Sequence, residues 1–175
     1  MNFRPVANRL KTYLNQQDNL LPNPISAEAA VEEILALHEA NGGATYSLYF
    51  GSQARERLYA VSVFPDRSFV TEGREISRKE ITAFLHANRE LFADPRCCVG
   101  IWHSVELNLT YLDVSTTLPD KSAVVALGTW YNQEGVFDLF RMEYIPTGGS
   151  GEPPVNMPPA AERLPPLKRG GRRTS

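Results

Sequence analysis

Tyr111, Asp113 and Ser115 alternate with Thr110, Leu112 and Val114 in the run Leu109–Ser115. Successive side chains of a strand point to opposite sides, so a strand here presents a phenol, a carboxylate and a hydroxyl on one face. Further along, Asn132, Gln133 and Asp138 add two amides and a second carboxylate. Two carboxylates in one pocket are the minimum for paired acid–base catalysis. Asp113, Tyr111, Asn132, Gln133 and Asp138 are therefore the candidate catalytic set of a hydrolase or transferase. The same residue types also populate the solvated face of an antiparallel sheet. On that reading Tyr111, Asp113 and Ser115, with Trp102 and His103 from the preceding strand, form a binding face, because aromatic residues dominate binding hot spots.

Other chemistries find less support. No phosphate loop, dinucleotide fingerprint or calcium loop is present. Gly148-Gly149-Ser150-Gly151 is glycine-rich, but prolines follow it where a phosphate cradle needs a helix N-terminus. His38, His86 and His103 fall in separate elements with no metal-type spacing, so neither metal nor cofactor is expected. Cys97 and Cys98 are the chain's two cysteines, and as neighbours they point apart and do not bridge each other. They read as reduced, partly buried thiols, with His103 the one histidine placed to activate either as a nucleophile.

Helices and strands must hold these groups in place. Pro5 with Val6, Leu10, Tyr13 and Leu14 suggests a short first helix. Ser26 is a plausible N-cap for a second, whose stripe is Ala27, Val31, Ile34, Leu35 and His38 and whose end is Asn41-Gly42-Gly43. Ala44–Phe50 and Leu58–Phe64 read as the two strands of a hairpin joined by a charged connector, with Ser68–Thr71 a third short strand. Ser77 and Glu80 form a capping box, flanked by the staple pair Ile76 and Ile81. That helix should run to Asp94-Pro95, because the residue before proline avoids the helical region. Val99–His103 and Leu109–Ser115 form a further hairpin. Pro119-Asp120 opens a helix carrying Val124, Leu127, Trp130 and Tyr131, and Val136–Phe140 is a last strand that can extend to Ile145.

The expected fold is one α+β domain over residues 1–145, with an antiparallel or mixed sheet of five to six strands. About three helices pack mainly on one face. Residues 146–175 hold seven of the thirteen prolines and five of the twelve glycines, a composition expected to form a disordered tail. The formal charge of −2 divides unevenly. The tail has five basic residues against two acidic ones, a net +3, which leaves −5 for the body. Lys168, Arg169, Arg172 and Arg173 at its end can touch phosphate backbones, which makes nucleic acid one possible partner. Apolar runs are too short to cross a bilayer and the first residues lack a secretory core, so a cytoplasmic protein with no membrane partner is expected.

The stretch from Ser77 to Gly149 resembles uncharacterised small proteins of bacteria and their phages or plasmids. The resemblance lies in Asn88-Arg89, Asp94-Pro95-Arg96, Val99-Gly100-Ile101-Trp102, Tyr111-Leu112-Asp113-Val114-Ser115, Tyr131-Asn132-Gln133 and Pro146-Thr147-Gly148-Gly149. It implies a bacterial, mobile-element setting and no reaction. Small size, an acidic body and aromatic-rich strands favour a non-enzymatic binding protein that contacts another protein. The Asp113-centred enzyme and the nucleic-acid-binding tail are the alternatives.

Overall fold

A computed structural model describes residues 22–164. The expected first helix and the basic residues Lys168, Arg169, Arg172 and Arg173 lie outside them. Four α-helices are described: α1 (Ala27–Asn41), α2 (Arg78–Ala87), α3 (Arg89–Phe92) and α4 (Lys121–Trp130). Eight strands accompany them: β1 (Gly43–Ser47), β2 (Gly51–Ser52), β3 (Tyr59–Ser62), β4 (Phe69–Glu72), β5 (Cys97–Ser104), β6 (Leu109–Leu118), β7 (Gly135–Asp138) and β8 (Glu143–Pro146).

The helix ends follow local chemistry. The Ser26 hydroxyl accepts from Ala29 N at 3.2 Å, and Gly42, at φ 76°, returns its N–H to His38 O. Ser77 and Glu80 make both halves of the capping box, and Ile76 and Ile81 are buried beside it. The Asp120 side chain accepts from Ala123 N at 2.9 Å to start α4. The helix expected to run unbroken to Asp94 is instead divided at Asn88. That buried side chain donates to Phe84 O at 3.1 Å, the local competition that ends helices at Asn.

All strand pairs are antiparallel, in the order β2-β1-β5-β6-β3-β7-β8, with β4 beside β6. β5 follows one edge of β6 from Cys97↔Thr116 to Ser104↔Leu109. The other edge is shared. Tyr59–Ser62 of β3 pairs with Leu118–Ser115, and Phe69–Glu72 of β4 pairs with Leu112–Leu109. Val63–Ser68 therefore loops out opposite only Asp113 and Val114, and a 3-10 turn at Pro65–Arg67 takes up the excess.

The class is α+β, but an eight-stranded antiparallel curled sheet with four helices replaces the expected five to six strands and three helices. The additional strands are the short partner β2, which the charged connector folds back onto Tyr46 and Ser47, and β8, the return arm of a β7–β8 hairpin. Nor do the two aromatic strands form a hairpin with each other. β1 pairs with β5 and β3 with β6, because long-range partners outcompete the local one.

One buried cluster joins the helices to the sheet. Ala30, Val31 and Ile34 of α1, Ile81, Phe84 and Leu85 of α2, Phe92 of α3 and Val124 of α4 meet Val99, Ile101, Leu112 and Val114. These strand residues occupy a single face, and Leu58, Ala60 and Leu139 form a separate small cluster with Phe137 on the other. All four described helices thus cover one side of the sheet.

The segment after Ile145 is not loose as far as Leu164. Met157, Ala160 and Leu164 pack against the main cluster. Arg163, 8% exposed, donates to Pro158 O at 2.8 Å, forms an ion pair with Asp66 and sits over the Phe64 ring at 5.5 Å. Proline-rich composition suggested a chain unable to bury surface. A few well-spaced apolar anchors and one buried guanidinium hold it, and proline lowers the entropy lost on docking.

Candidate functional site

The registered pairs carry one face across the sheet. Trp102 stands opposite Tyr111, Gly100 opposite Asp113 and Cys98 opposite Ser115. Thr117 then faces Ala60, Ala60 faces Phe137, and Phe137 faces Tyr144. All lie on the side away from the helices. β5 and β8 are four steps apart, or about 19 Å in a flat sheet, yet the Trp102 and Tyr144 ring centroids are 6.1 Å apart. The sheet therefore curls toward this face. Trp102 also stacks on Tyr111, at 4.8 Å with planes 9° apart.

Asp113 sits where the β3 chain loops away from β6. Ser68, the last residue of that loop, donates its hydroxyl to Asp113 Oδ1. Beneath the carboxylate is Gly100, where an added Cβ would come within 2.7 Å of Ser115 Oγ. Burial pushes the Asp113 carboxyl up to about 6; the Ser68 hydrogen bond opposes this, and the negative charge of Glu134 adds to it. Burial followed by Glu134 also raises the phenols of Tyr111 and Tyr144, with Asp113 adding to the Tyr111 shift. Glu134, just before β7 and with its carboxylate beside Gly151, is thus near enough for its charge to act on all three groups. Neither Asp113 nor Glu134 has an ion-pair partner among the described residues.

Tyr144 reaches this place because β7 begins with glycine. An added Cβ at Gly135 would fall on the Tyr144 ring. Val70 of β4, paired with Tyr111 and 45% exposed, extends the aromatic row toward solvent.

Tyr111, Asp113, Ser115 and Trp102 come together as one face. His103 does not join them. It lies on the helix side of β5, with Nδ1 3.2 Å from Thr110 Oγ1 and roughly 20 Å along the strand from Cys97. Asp138 is opposite Tyr59, which is opposite Leu118, so it lies on the face away from Asp113. There it caps the β7–β8 turn, accepting from Phe140 N and Arg141 N at 3.0 and 2.9 Å. Burial raises its pKa, but these bonds and the Arg141 guanidinium outweigh that and hold it below the usual carboxylate range. It borders a separate pocket of about 240 Å³ with Arg57, Tyr59, Pro119, Phe140 and Arg141.

The amides are committed elsewhere. Asn132 donates to Ser150 Oγ at 2.6 Å and Glu152 O at 2.9 Å, and accepts from Ser150 N at 3.1 Å. Gln133 donates to Tyr131 O at 3.3 Å, and its carbonyl accepts from the Thr147 hydroxyl. These two residues clamp the segment that follows β8. Cys97 and Cys98 point to opposite faces, and burial pushes both thiols up to about 12, so neither is a ready nucleophile. No group of three or more His, Cys, Asp or Glu among the described residues could hold a metal ion.

Ser68, Val70, Glu134, Gly135 and Tyr144 belong to the face and were missed. Their places depend on the loop opposite Asp113 and on the curl, neither of which has a local sequence signature. Gly135 beside an aromatic-bearing hairpin is the one hint the chain offers. No helix of the described residues is long and apolar enough to cross a membrane. Comparisons with protein-family models, curated proteins and solved structures found no match for the chain.

Proposed function

We propose that the protein is a non-enzymatic binding protein that engages another protein through the Trp102–Tyr111–Asp113 face. The observation that carries this reading is the three-ring row beside Asp113, on the side of the sheet that no described helix covers. Stacked aromatics next to a partly desolvated charge have the composition of an interface hot spot. The bacterial, mobile-element setting implied by the resemblance belongs to the same proposal.

An acid–base enzyme keeps one supporting observation, the Asp113 carboxyl at about 6 beside Glu134. A carboxyl raised toward neutrality is what a general acid requires. Against it, Asn132, Gln133 and Asp138 all serve other contacts. The test is recovery of one identified partner from an extract of the source cells, followed by binding of the purified pair. Trp102→Ala and Tyr144→Ala should each weaken it about tenfold or more. Trp130→Ala, at an exposed residue of the helix layer, should leave it unchanged. Unchanged binding by both face variants would overturn the reading.

A further inference from the structure

We infer that this face recognises a guanidinium group, presented as an arginine side chain of the partner protein. The inference rests on the binding-face reading and adds the chemistry of what is bound. Asp113 shares a face of β6 with Tyr111, Glu134 adjoins Gly135, against which the Tyr144 ring lies, and neither carboxylate has an ion-pair partner among the described residues. The body around them carries a net −5. A partly buried carboxylate without a cation is costly, and an incoming positive charge offsets that cost.

The rings narrow the choice of cation. Tyr144 is 49% exposed, so part of its ring is open to a ligand while the rest stacks toward Trp102. A planar guanidinium stacks on such a ring and at the same time turns its N–H fork toward a carboxylate. A compact, strongly hydrated ammonium does this less well. Ser68 already donates to one Asp113 oxygen, which fixes the carboxylate and leaves its remaining acceptor capacity for the ligand.

The test uses the full chain carrying Trp130→Phe, so that Trp102 is the sole tryptophan and its emission can be excited selectively. Blocked tripeptides Gly-Arg-Gly, Gly-Lys-Gly and Gly-citrulline-Gly are titrated against it. The arginine peptide should give a saturable change in Trp102 emission. Citrulline, lysine, and the arginine peptide on Asp113→Asn/Glu134→Gln should each bind about tenfold or more weakly. Equal binding of arginine and citrulline, equal binding of arginine and lysine, or no loss in the double variant would overturn the assignment. A tenfold gain on changing Lys168, Arg169, Arg172 and Arg173 to Gln would also overturn it, by making the chain's own end the occupant. If no peptide binds while Trp102→Ala still abolishes partner binding, the guanidinium inference fails and the face reading stands. If Trp102→Ala and Tyr144→Ala both leave partner binding intact, the face reading itself fails.

Discussion

Trp102 of β5 and Tyr144 of β8 meet with ring centroids 6.1 Å apart and planes 28° apart, although three strands separate theirs. The contact ties the end of the sheet to its middle, across the face opposite the helices. It also sets Tyr144 beside the Trp102–Tyr111 stack, so the shape of the sheet and the composition of the face depend on each other.

Gly135→Ala tests that dependence. The new Cβ falls on the Tyr144 ring, which must swing away from Trp102. Near-UV circular dichroism from Trp102 should weaken, with a stability loss of about 1–3 kcal/mol from overpacking. An unchanged spectrum would mean that Tyr144 does not need the space above Gly135.

Asp113→Asn should stabilise the protein at neutral pH. The folded carboxyl titrates at about 6, against about 3.9 in the unfolded chain. Between these values the folded state holds the extra proton, so stability falls as pH rises from about 4 to about 6 and is then flat. The charged carboxylate costs up to about 3 kcal/mol above that window. Denaturant unfolding should show the variant about 1–3 kcal/mol more stable at pH 7.5, with the difference gone below about pH 4. A variant less stable at pH 7.5 would contradict this.

Arg163→Ala should release the segment after β8. It removes the Asp66 ion pair, the bond to Pro158 O and the stacking on Phe64. Hydrogen exchange should rise across residues 147–164 with little change in β5 and β6. The opening free energy of that segment should fall by about 1.5–3 kcal/mol, the range for hydrogen bonds to a charged group, with global stability little changed. Protection unchanged in that segment would show that Met157 and Leu164 hold it unaided.

Local signals in the sequence were legible wherever a few neighbouring residues decide the outcome. Ser77 with Glu80 marked α2 to the residue, and the alternation in Leu109–Ser115 gave the facing of Tyr111 and Asp113. What depends on distant partners was not legible. β1 and β3 looked like a hairpin because they are adjacent in sequence, but Val99 and Thr116 supply better partners from elsewhere. Val124, Leu127 and Trp130 are all apolar residues of α4, but Trp130 is 67% exposed, since Val124 and Gly128 make the close approach. Asp113 could be found from alternation; Ser68 and Glu134 could not, because a loop of Val63–Ser68 and a curled sheet bring them there.

Site-specific photo-crosslinking reads out directly which face of the sheet the partner covers. A benzophenone side chain placed at Val70, exposed beside Tyr111, or at Trp130, exposed on the helix layer, reports which surface the partner touches. A covalent adduct with the partner is expected from position 70, weakened on adding Tyr144→Ala, and none from position 130. An adduct from position 130 with none from position 70 would contradict the binding-face reading.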